Sequence, residues 1–441
     1  MPRSRSLRML APLATLALIL TACPAGGTSP SGAASGPAGS GGASGATITV
    51  TSLWGGAEAD AFQAVLDAFK AKSGITVTYS PQRTDYATVL RTQIQGGTPP
   101  DVAIIPGIGF LRSFAAAGDL KKLSDLGIDR ASIEANYALG ILDVGTVGGE
   151  LYAIMVKLNS KSTVWYKPTE FEADGVTVPK TWEDFTAAID KIKAAGKVPL
   201  ALGAQDSWTL TDWFESIYVR QSGPEAYDKL FSKDGDWTDK SVTDAITTML
   251  SVLNNDNVLG GIDASLGKAF TDGIGDVYAK GAKAEMYYEG GFVGGIALGD
   301  VNPDLKIGTD INFFDFPSIK GEDAITIGGD VLAAFTDKPG VKEFMTYMTT
   351  AEAGTAWAKG GTIISPVKGV DTSVYPNDLA KQEAEQVANA SAVRFDGSDL
   401  LPAGADLGAV LQGALQGQDV KGLLSDFQST VTGAWEAEAG G

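Results

Sequence analysis

The pattern of apolar and polar positions predicts alternating strands and helices from residue 47 onward. Residues 47–54 have strand composition, with the apolar residues Ile48 and Val50 two positions apart. The apolar residues Phe62, Val65, Leu66 and Phe69 then follow the spacing of one helix face. Further along, the same reasoning predicts strands at 75–79 and 101–105 with a helix at 85–95 between them. Because the connections are short, this order predicts a parallel α/β unit.

A parallel unit also predicts where a ligand binds, because ligands of open parallel sheets lie beyond the carboxyl ends of the strands. In this chain those ends bring together an aromatic ring, carboxylates and a Pro-Gly turn. The candidate binding residues at this edge are Trp54, Glu58, Asp85, Pro106 and Gly107.

A second α/β region is predicted for residues 162–325. Its clearest helix spans 182–195, with Thr181 as N-cap and Asp184 completing a capping box. The remaining predicted elements are a helix at 239–254, a strand at 330–335, a helix at 341–349 and a largely helical tail at 376–439.

The first 46 residues predict export and tethering. Three arginines precede an apolar run at 9–20, which is the length of a secretory signal and too short to span a bilayer. The sequence Leu20-Thr21-Ala22-Cys23 resembles the bacterial lipobox, which implies a lipoprotein signal peptide at 1–22 and acylation of Cys23. A free thiol behind an ordinary signal peptide is the alternative. Residues 23–46, rich in Gly, Ser, Ala and Pro, then form a flexible tether.

Composition excludes several kinds of chemistry. Removal of residues 1–22 takes away three arginines and no acid, so the net charge of −19 becomes −22, which argues against nucleic acid as a partner. The chain has no histidine, and Cys23 is its only cysteine. Histidine-dependent nucleophiles and Cys- or His-based metal sites are therefore excluded, and no cofactor is expected.

Several sequence blocks together resemble the extracellular solute-binding proteins of carbohydrate ABC importers. The blocks, in chain order, are TPPDVA (98–103), GELYAI (149–154), STVWY (162–166), PKTWEDF (179–185), TDWFES (211–216), Gly329-Asp330 and WAKGGTIIS (357–365). The blocks TDWFES, GGTIISP and RFDGSDL look most similar to the α-glucoside-binding branch.

The resemblance implies a two-lobed α/β fold of the periplasmic-binding-protein type, in which each lobe is a sheet flanked by helices and several chain crossings form the hinge. It places lobe 1 at 47–158, lobe 2 at 159–326, a return to lobe 1 at 327–364, and lobe 2 with the C-terminal helices at 365–441.

A sugar site needs aromatic platforms and side chains that accept hydrogen bonds from hydroxyl groups. Trp208 lies in a polar segment, 205–212, predicted as a loop on the rim of lobe 2; a lid over the core is its alternative role. Asp212 is predicted either to bind sugar or to cap a helix that starts at Trp213. The other candidates are Tyr288, Glu289, Phe292 and Asp330. Trp165, Trp182 and Trp357 are predicted to be core residues.

The hypothesis from the sequence is a non-enzymatic, monomeric protein, lipid-anchored outside the cytoplasm, that captures a sugar by hinge closure and presents it to a membrane permease. Two alternatives stay open. A secreted glycosidase needs only a pair of suitably placed carboxyl groups. A metal- or anion-binding protein of the same fold would use Tyr287 and Tyr288.

Overall fold

A computed structural model describes residues 43–137 and 141–440 of the chain. The predicted signal peptide, Cys23 and most of the predicted tether lie outside the described residues. The strands are β1 (Thr47–Ser52), β2 (Thr76–Pro81), β3 (Val102–Ile105), β4 (Thr146–Val147), β5 (Glu150–Leu151), β6 (Ala153–Ser160), β7 (Thr163–Tyr166), β8 (Val198–Leu200), β9 (Ala284–Tyr288), β10 (Asn312–Asp315), β11 (Ile325–Ala334) and β12 (Val393–Phe395).

The helices, in chain order, are α1 (Gly56–Ser73), α2 (Tyr86–Gln95), α3 (Ile108–Ala116), α4 (Arg130–Glu134), α5 (Pro168–Ala173), α6 (Trp182–Ala194), α7 (Trp208–Ser222), α8 (Pro224–Leu230), α9 (Lys240–Val252), α10 (Gly261–Leu266), α11 (Phe270–Tyr278), α12 (Phe292–Ile296), α13 (Val341–Met348), α14 (Ala351–Ala358), α15 (Asp378–Asn389), α16 (Gly397–Leu400), α17 (Leu407–Leu415) and α18 (Val420–Gly440). Three shorter helical turns span Ile141–Gly145, Ala297–Val301 and Thr372–Val374.

The first sheet has the strand order β12–β11–β3–β1–β2, and β6 also pairs with β11. Strand β1 pairs in parallel with both β2 and β3, which confirms the parallel unit predicted from the sequence. The predicted apolar stripe of α1 is buried in one core with these strands, and Gly74 ends the helix in a left-handed conformation with φ 73°. The carboxyl ends of β1, β2 and β3 therefore share one edge.

The second sheet has the order β10–β7–β9–β8, with β8 parallel to β9 and β7 antiparallel to it. This sheet has apolar cores of its own, built largely from residues 164–324 and 401–431. The carboxyl ends of β8 and β9 lie at the edge where β7 begins, because β7 runs the opposite way. Helices α7 and α12 both start just beyond that edge.

The two sheets are joined by crossing segments of the chain. Strand β6 leaves the first sheet and continues, after Lys161 and Ser162, into β7 of the second. Strand β11 enters the first sheet after β10 of the second, and its backbone pairs with β6 along most of its length. A further contact is the isolated bridge between Leu158 and Ile364. The fold is thus a two-lobed α/β structure.

The structure corrects three details of the predicted elements. Trp208 is the first residue of helix α7 rather than part of a loop, because the chain turns at Ser207 (φ 54°) and residues 209–220 are all buried. Asp212 consequently lies within the helix and does not cap it. The strand predicted at 330–335 begins earlier, at Ile325, and the predicted helical tail contains the short strand β12.

Among the residues that the structure describes, no helix has both the length and the apolarity needed to cross a membrane.

Candidate functional site

The first cluster consists of Trp54, Glu58, Lys157 and Asp330. The Trp54 indole Nε1 donates a hydrogen bond to Asp330 Oδ2 at 2.9 Å. The Lys157 ammonium is hydrogen-bonded to Glu58, lies 3.9 Å from Asp330 Oδ2 and sits 5.1 Å from the centre of the Trp54 ring. Three of the predicted site residues therefore meet around one lysine.

Local structure explains this arrangement. Trp54 and Glu58 follow β1 into the first turn of α1, and Lys157 points from β6. The register of β11 against β6 shifts between Asp330 and Val331, so Asp330 lies at a bulge that directs it toward Lys157. Burial lowers the pKa of the Lys157 ammonium group, but the negative charges of Glu58 and Asp330 raise it by more, so that the net shift is upward. Burial also raises the pKa of Asp330.

The second cluster is formed by the aromatic rings of Trp208, Phe270 and Phe292, which contact one another, and by the ammonium group of Lys161, which lies over the Trp208 and Phe292 rings. These rings come from the first residues of α7, α11 and α12, and each is half-buried. The centre of the Trp208 ring lies 5.2 Å from that of Phe270 and 5.9 Å from that of Phe292. The Lys161 Nζ lies 4.6 Å from the Trp208 ring centre and 5.8 Å from that of Phe292.

Carboxyl groups outnumber cations in the second cluster. Lys161 Nζ lies 2.8 Å from Asp212 Oδ2 and 3.6 Å from Asp396 Oδ2, and the charges of Glu289 and Asp399 also act on it. All four carboxyl groups are strongly desolvated, and Asp212, Glu289 and Asp396 are nearly inaccessible. Burial raises the pKa values of Asp212, Glu289 and Asp399, since one lysine cannot neutralise this many buried acids.

Among the residues that the structure describes, no group of three or more Asp or Glu side chains is arranged so that it could hold a metal ion.

Tyr288 lies beneath the second cluster and not on its surface. Its ring is 1% exposed and packs edge-on against Trp213 and Phe316. Its hydroxyl group donates to the backbone carbonyl oxygen atoms of Lys161 and Asp212. These contacts give Tyr288 a supporting position, in which it holds the backbone of two cluster residues.

The remaining candidates from the first sheet are more scattered. Asp85 is exposed at the start of α2, with φ 51° and no side-chain hydrogen bond among the described residues. Pro106 and Gly107 precede α3, and a Cβ atom at Gly107 would lie 3.8 Å from Asp399 Oδ1. The Pro-Gly turn therefore borders the second cluster, whereas the structure does not bring Asp85 into either cluster.

The sequence analysis missed five residues of this site: Lys157, Lys161, Phe270, Asp396 and Asp399. A signal for the two lysines was present, because both interrupt the otherwise apolar or small-residue run 153–166, which forms buried strands. Lysines are almost never fully buried unless they are paired, so lysines in such a run indicate nearby acids. No comparable pattern marks Phe270, Asp396 or Asp399.

The fold and these clusters define a two-lobed binding protein. The chain matches the family described as bacterial extracellular solute-binding protein over residues 55–355. It belongs to this family, whose members bind solutes and are not enzymes, so the glycosidase alternative is not supported.

Two curated relatives match nearly the whole chain. The osmoprotective compounds-binding protein GgtB of Synechocystis sp. is 30% identical over 373 residues, covering 83% of this chain and 87% of the relative. The alpha-glucosides-binding periplasmic protein AglE of Rhizobium meliloti is 31% identical over 410 residues, covering 89% and 88%. A solved chitin oligosaccharide binding protein shares the fold, with a TM-score of 0.75, 22% identity, and coverage of 89% of this chain and 99% of that one.

Proposed function

We propose that this protein captures an oligosaccharide of the α-glucoside type between its two lobes and delivers it to the permease of an ABC transporter. The observation that carries the proposal is the second cluster. Half-buried aromatic rings from three helix starts meet beside buried carboxyl groups, on the side of the sheet where the chain crosses between the lobes.

This combination suits the two surfaces that a sugar presents. The apolar C–H face of a pyranose ring stacks on an indole such as that of Trp208, and its hydroxyl groups need partners such as Asp212 and Glu289. The name of the curated relative AglE, an alpha-glucosides-binding protein, supports this ligand class.

Capture proceeds by closure of the lobes around the crossing segments, with lobe 1 formed by 47–158 and 327–364. Contacts across the proposed cleft support this motion. The backbone N–H of Ala57, at the start of α1, donates to Asp300 Oδ1 of the second lobe at 3.3 Å. A Cβ atom at the neighbouring Gly56 would overlap the Asp300 carboxylate, so this approach of the lobes requires glycine there.

A thermal-shift screen tests the ligand class. The panel consists of maltose, trehalose and sucrose, which are α-glucosides, with cellobiose and chitobiose as β-linked controls. A ligand at one hundred times its dissociation constant stabilises the protein by about 2.7 kcal/mol. We expect a clear rise in melting temperature with at least one α-glucoside and a smaller one, or none, with the β-linked pair. Equal or larger shifts with the β-linked sugars would contradict the α-glucoside assignment.

The proposed location is extracytoplasmic, in the periplasm or at the cell surface, with the protein anchored to a membrane by lipid on Cys23. We expect Cys23→Ser to move the protein from the membrane pellet to the soluble extracytoplasmic fraction, since acyl chains are the proposed anchor. Substitution of Ser29 in the same tether, Ser29→Ala, serves as the control and leaves the protein in the pellet. A Cys23→Ser protein that still sediments with membranes in detergent-free buffer would contradict the anchor.

A further inference from the structure

The side chain of Glu289, in the second cluster, meets no hydrogen-bond donor among the described residues and faces the carboxyl group of Asp212. It directly follows β9, and its backbone is fixed on both sides. Its N–H donates to the carbonyl oxygen of Thr163, and its own carbonyl accepts from the Trp165 indole at 3.2 Å. The residue is 1% exposed, and among the described residues neither carboxyl oxygen accepts a hydrogen bond from an N–H or O–H donor. The polar side chain that it faces is the carboxyl group of Asp212.

A carboxylate in such a position is costly, because it has lost its hydration, accepts no hydrogen bond in exchange and faces a second buried carboxyl group. The titratable groups that face Glu289 are Lys161 on the crossing segment, Asp212 on α7 and its neighbours Tyr287 and Tyr288 on β9. The only cation in this set, Lys161, is already paired with Asp212 and close to Asp396.

We propose that Glu289 binds the sugar as a neutral carboxylic acid, donating one hydrogen bond to a sugar hydroxyl group and accepting another, so that capture is linked to proton uptake. This inference rests on the proposed function and specifies the chemistry of the same site. A neutral carboxyl group has one donor and an acceptor, whereas a carboxylate only accepts. The neutral form therefore matches a pair of neighbouring hydroxyl groups, each of which both donates and accepts.

The first test uses the wild-type protein and the α-glucoside from the panel that gives the largest thermal shift. Isothermal titration calorimetry is performed from pH 5 to pH 9, in pairs of buffers with different ionisation enthalpies. We expect net proton uptake on binding, and an affinity that falls by up to about tenfold per pH unit once the free protein has lost the proton. Affinity independent of pH, with no proton exchange, would overturn the inference and leave the proposed function intact.

Two substitutions separate the role of the proton from that of the side chain. Glu289→Gln keeps a donor and an acceptor but cannot titrate, so we expect binding within about threefold of the wild-type value at pH 5 and no remaining pH slope from this group. Glu289→Ala leaves sugar hydroxyl groups unpaired and should weaken binding by about tenfold or more. A Glu289→Gln protein that retains the full wild-type slope would overturn the inference.

Glu285→Gln is the matched control. Glu285 lies on strand β9, which Glu289 directly follows, and it is also buried with one carboxyl oxygen that accepts no hydrogen bond among the described residues. Its charged neighbour is Lys167, at 3.4 Å, and not the second cluster. We expect the Glu285→Gln protein to bind the sugar with the affinity and the proton uptake of the wild type. Loss of the pH slope in this variant as well would show that burial of acids in general is responsible, and would overturn the specific role of Glu289. Absence of binding to every saccharide in the panel would instead overturn the proposed function, and this inference with it.

Discussion

At the scale of single residues, Trp208 is the side chain that the proposed function links most directly to ligand binding. Its ring is half-buried and contacts Phe270, Phe292 and the Lys161 ammonium. We expect Trp208→Ala to weaken sugar binding by roughly thirtyfold, or about 2 kcal/mol, because a stacking face is lost. The melting temperature should change little, corresponding to about 1 kcal/mol, since few core contacts depend on this ring. Calorimetry and thermal unfolding measure the two effects.

Trp237→Ala provides the opposite control. Trp237 is fully buried against Phe231 and Phe427, far along the chain from both clusters. Its removal should cost about 3–5 kcal/mol of stability, while the folded protein binds sugar normally. If Trp208→Ala instead behaves like Trp237→Ala, with collapsed stability and unchanged affinity, Trp208 is a core residue and the second cluster is not the sugar site.

Glu383 gives a stability prediction with a definite sign. It lies on α15, is 5% exposed, and accepts a hydrogen bond from the Ser160 N–H at 2.8 Å. Burial raises the pKa of Glu383 from its ordinary 4.5 to about 7, although the Ser160 bond and Lys157 act in the opposite direction. The folded protein therefore holds this proton more tightly than the unfolded chain does.

The contribution of Glu383 to the unfolding free energy is about 3 kcal/mol. It is fully present below pH 4.5 and is lost as the pH rises through 7. Other buried acids also titrate, so each variant is compared with the wild type. The quantity measured is the change in unfolding free energy between pH 5 and pH 8, obtained from urea unfolding. We expect Glu383→Gln to reduce the loss of stability between these pH values, and Glu385→Gln, at an exposed position on the same helix, to leave it unchanged. Identical pH profiles for Glu383→Gln and wild type would refute the assignment.

At the scale of elements, Lys157 joins three of them. From strand β6 it contacts Glu58 of α1 and Asp330 of β11, and its side chain is 8% exposed. Lys157→Met leaves two buried carboxyl groups without their cation, so we expect a loss of about 3–5 kcal/mol in unfolding free energy. The double variant Lys157→Met/Glu58→Gln should recover part of this loss. Lys233→Met, which breaks the exposed pair with Asp234, should change stability by less than about 0.5 kcal/mol.

The elements themselves were predictable where local signals agree. The apolar stripe of α1 and its terminal glycine, and the capping box of Thr181 and Asp184 on α6, each specify a helix without help from the rest of the fold. The prediction failed at Trp208, because the polar composition of 205–212 is typical of a loop, whereas burial of the following residues decides in favour of a helix. Strand β12 has only three residues and forms by pairing with β11, which no local pattern reveals.

The candidate site was predictable only in part, for a related reason. Trp54 was predicted from the rule that ligands lie at the carboxyl ends of parallel strands, whereas Phe292 was predicted from its place after a buried strand and from the resemblance to the family. The pairing of Lys161 with Asp212 and Asp396 joins residues far apart in the chain and depends on the tertiary fold. The contacts assigned to the predicted residues stay predictions until a bound sugar is observed.

At the scale of the whole molecule, both clusters are connected by one strand. Lys157 and Lys161 lie four positions apart at the end of β6, so the first cluster, anchored in α1 and β11, and the second, anchored in α7, share a crossing segment. The positive charges of both lysines lower the pKa of Asp330, against the effect of burial. A sugar that contacts both clusters would therefore contact residues of the segment around which the lobes are proposed to move.

This arrangement predicts that ligand binding changes the overall dimensions of the protein. A ligand shifts a conformational equilibrium only if it binds one state better, and a sugar that contacts both lobes favours the closed state. We expect the radius of gyration from small-angle scattering to decrease when the bound α-glucoside is saturating by calorimetry. Trp208→Ala, whose affinity we expect to be about thirtyfold weaker, should show a smaller decrease at the same sugar concentration, because a smaller fraction of the variant is bound. A wild-type profile that stays unchanged at verified saturation would contradict hinge closure and favour a rigid site.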